Sequence, residues 1–196
     1  MTKSHRRQRT ISGPVSCTGV GLHTGVESTI TFKPAPENYG IQFSRTDIQG
    51  SPEIRADIEH VVDISRGTTI AQNGVRIHTV EHALAAVSGL RLDNVLIELT
   101  AKEAPVMDGS AKDFVDALQS VNFIEQKQDR HVLEISRPVV YSDLKKEIDI
   151  HVVPADRFRV TFLVEYPLPA LGTPVSYTHL RAHETSLHLV CRLLLE

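Results

Sequence analysis

The chain has 196 residues, 41% hydrophobic and 23% charged, the balance of a globular protein with one domain or two small ones and a real core. A net charge of −3, with six Phe, four Tyr and no Trp, gives no global electrostatic case for nucleic acid or anionic membrane and leaves few stacking platforms. Two cysteines, Cys17 and Cys191, are too few for a disulfide framework and suit a reducing cytoplasm, and no apolar run approaches the ~20 residues of a stable membrane span.

Met1 to Arg9 is basic but lacks the apolar segment of a signal peptide, and reads as a polar lead-in more readily than as a nucleic-acid arm. Arg9 to Thr18 predicts a first strand, interrupted by Gly13-Pro14. Gly19-Val20-Gly21-Leu22-His23-Thr24-Gly25 then sets three glycines around one histidine. The loop fits neither the Walker nor the dinucleotide spacing, so by itself it is a weak phosphate signal and more simply a tight strand connection with a surface His23. Val26 to Phe32 alternates, with Val26, Ser28, Ile30 and Phe32 on one face. Pro34 to Gly40 is a turn and Ile41 to Arg45 the returning strand. Ile54 to Ile64 suggests a strand with an irregular edge, and Ser65-Arg66-Gly67-Thr68 a polar loop entering a hairpin that turns at Asn73-Gly74 and ends at Ile77.

Ile77 to Gly89 places a carboxylate, Glu81, beside an imidazole, His82, near the start of a helix. Thr79 is suited to cap that helix and Gly89 to end it in a left-handed conformation. A Glu-His pair at a strand-helix junction suits a zinc ligand and a general base, although such a pair alone is more often solvated charge beside a partly buried histidine. Asn94 to Thr100 is the next strand signal. Ala104-Pro105-Val106-Met107-Asp108-Gly109-Ser110 follows, with Ser110 suited to cap a second helix, Ala111 to Ser120, whose apolar side is Phe114, Val115 and Leu118. Asp108 and Ser110 also read as ordinary turn and cap chemistry. Hairpins mixed with short helices predict an α+β fold, a two-layer domain of sheet on helices.

Glu125 to Arg130 is polar and aperiodic, and we place a domain boundary there: 1–126 forms the first domain and 127–174 the opening of a second. Three strand-like segments follow, His131 to Ser136 with Val139 to Tyr141, Glu147 to Val153, and Arg159 to Tyr166, with Lys145-Lys146 in a hairpin turn. No core helix accompanies them, so this second domain reads as incomplete. Val175 to Glu196 holds His179, His183 and Glu184, an attractive metal-site decoy. The segment instead resembles the translation of a sequencing-library adapter, with Val175 to Glu184 matching its first part and Leu189 to Glu196 its last. We expect the natural sequence to stop near Pro174; resequencing with different library chemistry that returns the same tail would refute this.

Four segments in order, Gly19 to Gly25, Thr79-Val80-Glu81-His82, Leu92-Asp93-Asn94 and Pro105 to Ser110, resemble the amino-terminal part of the UDP-3-O-acyl-N-acetylglucosamine deacetylases, zinc enzymes of lipid A biosynthesis. The resemblance runs from about Arg9 to at least Tyr166. It implies two similar α+β domains with the active site between them and an acylated UDP-sugar as small-molecule partner. By position, His82 is the first of three zinc ligands and Glu81 the general base. Zinc lowers the pKa of bound water to roughly 7, and a carboxylate within reach can take the proton and pass it to the leaving amine. His23 matches a histidine at the mouth of the site, Thr68 lies in a substrate-facing loop, and Asp108 lies in a loop beside the site.

The departures matter as much. The family's later His-Lys-x-x-Asp segment, which supplies the other two ligands, and its late catalytic histidine are absent, as are the acyl-chain passage and the dehydratase domain fused in some members. The resemblance therefore implies a chain that is inactive as written and holds zinc weakly, and leaves the oligomeric state open. A kinase-like phosphate-binding domain and a non-catalytic interaction module are the rival readings; the first lacks any matching phosphate or magnesium motif, and the second rests only on the missing ligands.

Overall fold

A computed structural model describes residues 7–131, 133–155, 159–163 and 175–179. The chain divides into two compact units, one built on residues up to Arg130 and one beginning at His131.

The first unit is an α+β layer. The interrupted first strand is two strands in different sheets, β1 (Arg7–Ile11) and β2 (Val15–Val20), separated at Gly13-Pro14. β3 (Glu27–Pro34) keeps the alternation, burying Ser28, Ile30 and Phe32, while Val26 lies outside it and is exposed. β4 (Ile41–Arg45) is not the hairpin partner of β3 that a returning strand implies. β9 (Val95–Leu99) inserts between them, antiparallel to β3 and parallel to β4, giving the order β2-β3-β9-β4-β5, with β5 at Glu53–Arg55. Parallel neighbours require a long crossover, and residues 46–94 provide it.

That crossover carries the functional elements. The irregular stretch after β5 is a single 3₁₀ turn (Ile58–His60) followed by β6 (Val61–Asp63). β6 pairs with β7 (Thr69–Gln72), and β7 with β8 (Val75–Ile77), around a turn in which Asn73 and Gly74 both take positive φ (51° and 81°). This is the turn that matches strand twist in a two-residue hairpin. α1 (Glu81–Gly89) follows, and α2 (Lys112–Gln119) lies after β9. β10 (Phe123–Asp129) occupies most of the stretch read from the sequence as an aperiodic boundary, and pairs antiparallel with β1.

Both helices cover one face of the large sheet. Ile30 and Phe32 of β3, Phe43 of β4 and Ile97 and Leu99 of β9 join Ala83, Ala86 and Val87 of α1 and Phe114 and Leu118 of α2 in one buried cluster. Phe32 and Phe114 meet edge to face at 6.0 Å, which locks α2 to the sheet.

The second unit contains β11 (Val139–Asp143), paired antiparallel with β12 (Ile148–Val152) through the Lys145-Lys146 turn, and β13 (Arg159–Leu163), paired with β14 (Val175–His179). The described part of His131 to Ser136 is not a strand, contrary to the sequence expectation. Val164 to Tyr166, His183 and Glu184, and the basic lead-in before Arg7, lie outside the described residues.

Candidate active site

Glu81 and His82 open α1, and both are buried, 5% and 3% exposed. The pair is thus neither solvated nor partly exposed. Thr79 does not cap the helix: it stands at φ 59°, and its hydroxyl donates to the Glu103 carboxylate at 2.9 Å. A left-handed conformation costs an ordinary residue roughly 1–2 kcal/mol, more for a β-branched one, so Thr79 is held there by its surroundings. Val80 becomes the N-cap, with no side-chain capping bond. At the other end the left-handed residue is Arg91 (φ 56°), not Gly89, and the Leu92 N–H returns to the Val87 carbonyl.

The strained turn aims Glu81 at the 66–68 loop. Thr68 donates its N–H to Glu81 Oε2 at 2.9 Å, and its carbonyl accepts from the Val80 N–H. Gly67, at φ 145°, leaves room there: a Cβ would stand 3.0 Å from Glu81 Oε1. His82 Nδ1 is buried without a hydrogen-bond partner among the described residues. An unpaired buried ring nitrogen is costly unless something else occupies it.

His23 reaches the same loop from the other side. Its Nε2–H donates to the Arg66 carbonyl at 2.8 Å, which fixes the tautomer because a carbonyl only accepts. Thr69 Oγ1 and His78 Nδ1 lie 3.0 Å apart just behind, and burial pushes the His78 imidazole down. His23, Thr68 and Glu81 are therefore brought together around residues 66–68, with His82 next to Glu81 in α1. Asp108 is exposed and serves its own turn: Ser110 donates N–H and O–H to its Oδ1, at 2.8 and 2.7 Å, and these bonds hold the carboxyl below its usual range. Ser110 Oγ in turn accepts the Lys112 N–H at 3.1 Å, but Ser110 is not the cap the sequence suggests: the N-cap of α2 is Ala111, with no side-chain capping bond. The Asp108 turn nevertheless abuts the glycine loop, because Val106 donates to the Val20 carbonyl.

Glu103 was missed by sequence reasoning. It is 1% exposed and accepts from His23 N, Thr24 N and Thr79 Oγ1. Its only signal was a carboxylate next to Ala104-Pro105, disguised by Lys102 as half of a solvated pair.

The donor set suits a metal in kind but not in number. An orphaned imidazole nitrogen beside a carboxylate offers the N and O atoms zinc accepts, yet a catalytic zinc takes three protein ligands. No cluster of three His, Cys, Asp or Glu is present among the described residues.

A buried Glu-His pair stands at a strained strand-helix junction, and similarity to known proteins gives the chain a family. The sequence model of LpxC, UDP-3-O-acyl N-acetylglycosamine deacetylase, matches residues 8–189, so the chain belongs to that family. It is 51% identical over 166 residues to the bifunctional enzyme LpxC/FabZ of Chlorobaculum tepidum, covering 85% of this chain and 36% of that protein. It is 42% identical to the UDP-3-O-acyl-N-acetylglucosamine deacetylase of Hahella chejuensis, over 84% of this chain and 54% of the relative. With that of Myxococcus xanthus it is 40% identical, over 87% and 54%. The chain thus spans about half, or less, of the relatives it matches.

Proposed function

We propose that this chain forms the first part of a zinc-dependent amidohydrolase that hydrolyses the acetamide of UDP-3-O-acyl-N-acetylglucosamine in lipid A biosynthesis, releasing acetate and leaving the free amine. The observation that carries the reading is the buried pair at the start of α1, with Glu81 oriented by Thr68 and His82 Nδ1 unpartnered. Family membership and the names of the relatives support this choice of substrate.

His82 is the ligand this chain offers to the metal, which when bound acidifies water and polarises a carbonyl. Glu81 takes the proton of the attacking water at its carboxylate and delivers it to the amine nitrogen as the C–N bond breaks. The Thr68 N–H keeps that carboxylate in one rotamer while it does so. His23 and the 66–68 loop line the approach for substrate, and the Asp108 turn flanks it. A UDP-linked substrate and the sparse cysteines support a cytoplasmic setting. We further propose that β11 to β13 open a second domain of the same type; the exposed apolar side chains of β11 and β12 support this.

Acetate release and bound metal, measured on the 196-residue chain and on the full-length enzyme, test the reading. The short chain should be inactive and hold zinc weakly. In the full-length enzyme Glu81→Gln should lower kcat by about 10²–10⁴-fold with metal retained, whereas His82→Ala should lose the metal. Turnover by the short chain with one tightly held zinc would overturn the proposal, as would wild-type kcat in Glu81→Gln.

A further inference from the structure

Among the described residues the proposed chemistry leaves one buried carboxylate unused, Glu103, and that carboxylate ties the site together. Glu103 follows β9, where its backbone bridges His78: the His78 N–H donates to the Lys102 carbonyl at 2.9 Å and the Ala104 N–H to the His78 carbonyl at 3.1 Å. Its side chain accepts the His23 N–H (3.0 and 3.2 Å to its two oxygens), the Thr24 N–H (2.8 Å) and the Thr79 O–H (2.9 Å). The glycine loop closes on it without spare room, since a Cβ on Gly21 would stand 2.6 Å from Glu103 Oε2. Burial pushes the Glu103 carboxyl up, but the hydrogen bonds from His23, Thr24 and Thr79 outweigh it and hold the group below its ordinary range. An ionised carboxylate only accepts, which is what three converging donors require.

The contacts form a closed circuit. Glu103 holds the backbone of His23, the His23 ring holds the Arg66 carbonyl, the Thr68 N–H holds Glu81, and Glu81 is joined through Val80 to Thr79, which returns to Glu103. We propose that Glu103 is a positioning residue of this enzyme, clamping the His23 loop to the left-handed Thr79 turn and so fixing where Glu81 and His23 face the 66–68 loop. The inference rests on the reading of Glu81 as the base.

Glu103→Gln, Thr79→Val and Thr79→Ser in the full-length enzyme test it. An amide at 103 presents an NH₂ to at least one of the three donors, and valine removes the hydroxyl at equal size. Glu103→Gln should lower kcat about 10–100-fold, the range for groups that orient reacting side chains, with KM and bound metal unchanged. Amide hydrogen exchange at His23 and Thr24 should accelerate in the same variant. Thr79→Val should lower kcat likewise and Thr79→Ser restore it. Wild-type kcat in Glu103→Gln, unchanged exchange at His23 and Thr24, or loss of metal in step with activity would each overturn the clamp. A wild-type enzyme that releases no acetate would overturn the functional reading and this inference with it, whereas an active wild type matched by Glu103→Gln overturns the inference alone.

Discussion

The two units are written in similar residues and reach opposite outcomes. β9 in the first unit reads Val-Leu-Ile-Glu-Leu and buries Val95, Ile97 and Leu99 completely. β12 in the second reads Ile-Asp-Ile-His-Val, with the same alternation, and all five residues are exposed. The difference is a second layer. α1 and α2 cover the inner face of the large sheet, while no helix stands among the described residues of the second unit. A two-stranded hairpin is marginal in water by itself, whereas strands packed on helices are not. Alternation therefore specifies which face is apolar, and only a covering element turns that face into a core.

The largest effect that sharpens this contrast is in the first unit. Phe32 is fully buried and meets Phe114 across the layer, so Phe32→Ala removes both the burial and the helix contact. We expect a loss of about 3–5 kcal/mol in unfolding free energy, measured by urea titration with β3 and β9 amide exchange as the local probe. A loss under about 1 kcal/mol would mean the layer is not what holds the sheet.

A smaller, pH-dependent effect separates the site from the core beneath it. The folded Glu103 carboxyl lies below its ordinary value of 4.5, so its contribution is fully present above that value and is lost as pH falls through the lower folded value. Thermal unfolding should show wild type above Glu103→Gln at neutral pH, with the two curves converging in acid as pH falls below the ordinary carboxyl value of 4.5. A gap that persists unchanged at low pH would assign the loss to packing rather than to the ionised clamp.

The parts legible in the sequence were those fixed by neighbours along the chain. The alternation of β3, the Asn73-Gly74 turn, the apolar stripe Phe114, Val115 and Leu118, and the Glu81-His82 pair all carry their signal within a few residues. The insertion of β9 between β3 and β4 does not, because pairing Ile30 with Leu99 and Phe43 with Ile97 is decided by burial across the whole layer. Thr79 misled for a related reason. A threonine before a helix is ordinarily its cap, but here a carboxylate far along the chain, Glu103, competes for the hydroxyl and draws the backbone into a left-handed turn. Glu103 itself has meaning only once the glycine loop and that turn converge on it.

The smallest expected effect is the most pointed test of the contrast. Ile97 and Ile150 are the same residue at the centre of β9 and β12, fully buried in one and 50% exposed in the other. Truncation to alanine should cost about 2–5 kcal/mol at Ile97 and stay within about 0.5 kcal/mol at Ile150 when both are made in the 196-residue chain. Ile150 faces Tyr141 across the hairpin, and the loss of that one cross-strand pair is small where both side chains already meet water. Repeating Ile150→Ala in the full-length enzyme then asks whether β12 belongs to a completed layer. A cost rising to about 2 kcal/mol or more there would show the apolar face covered, as the proposed second domain requires. An equally small cost in both contexts would leave β11 and β12 as a solvated hairpin and remove that domain from the proposal.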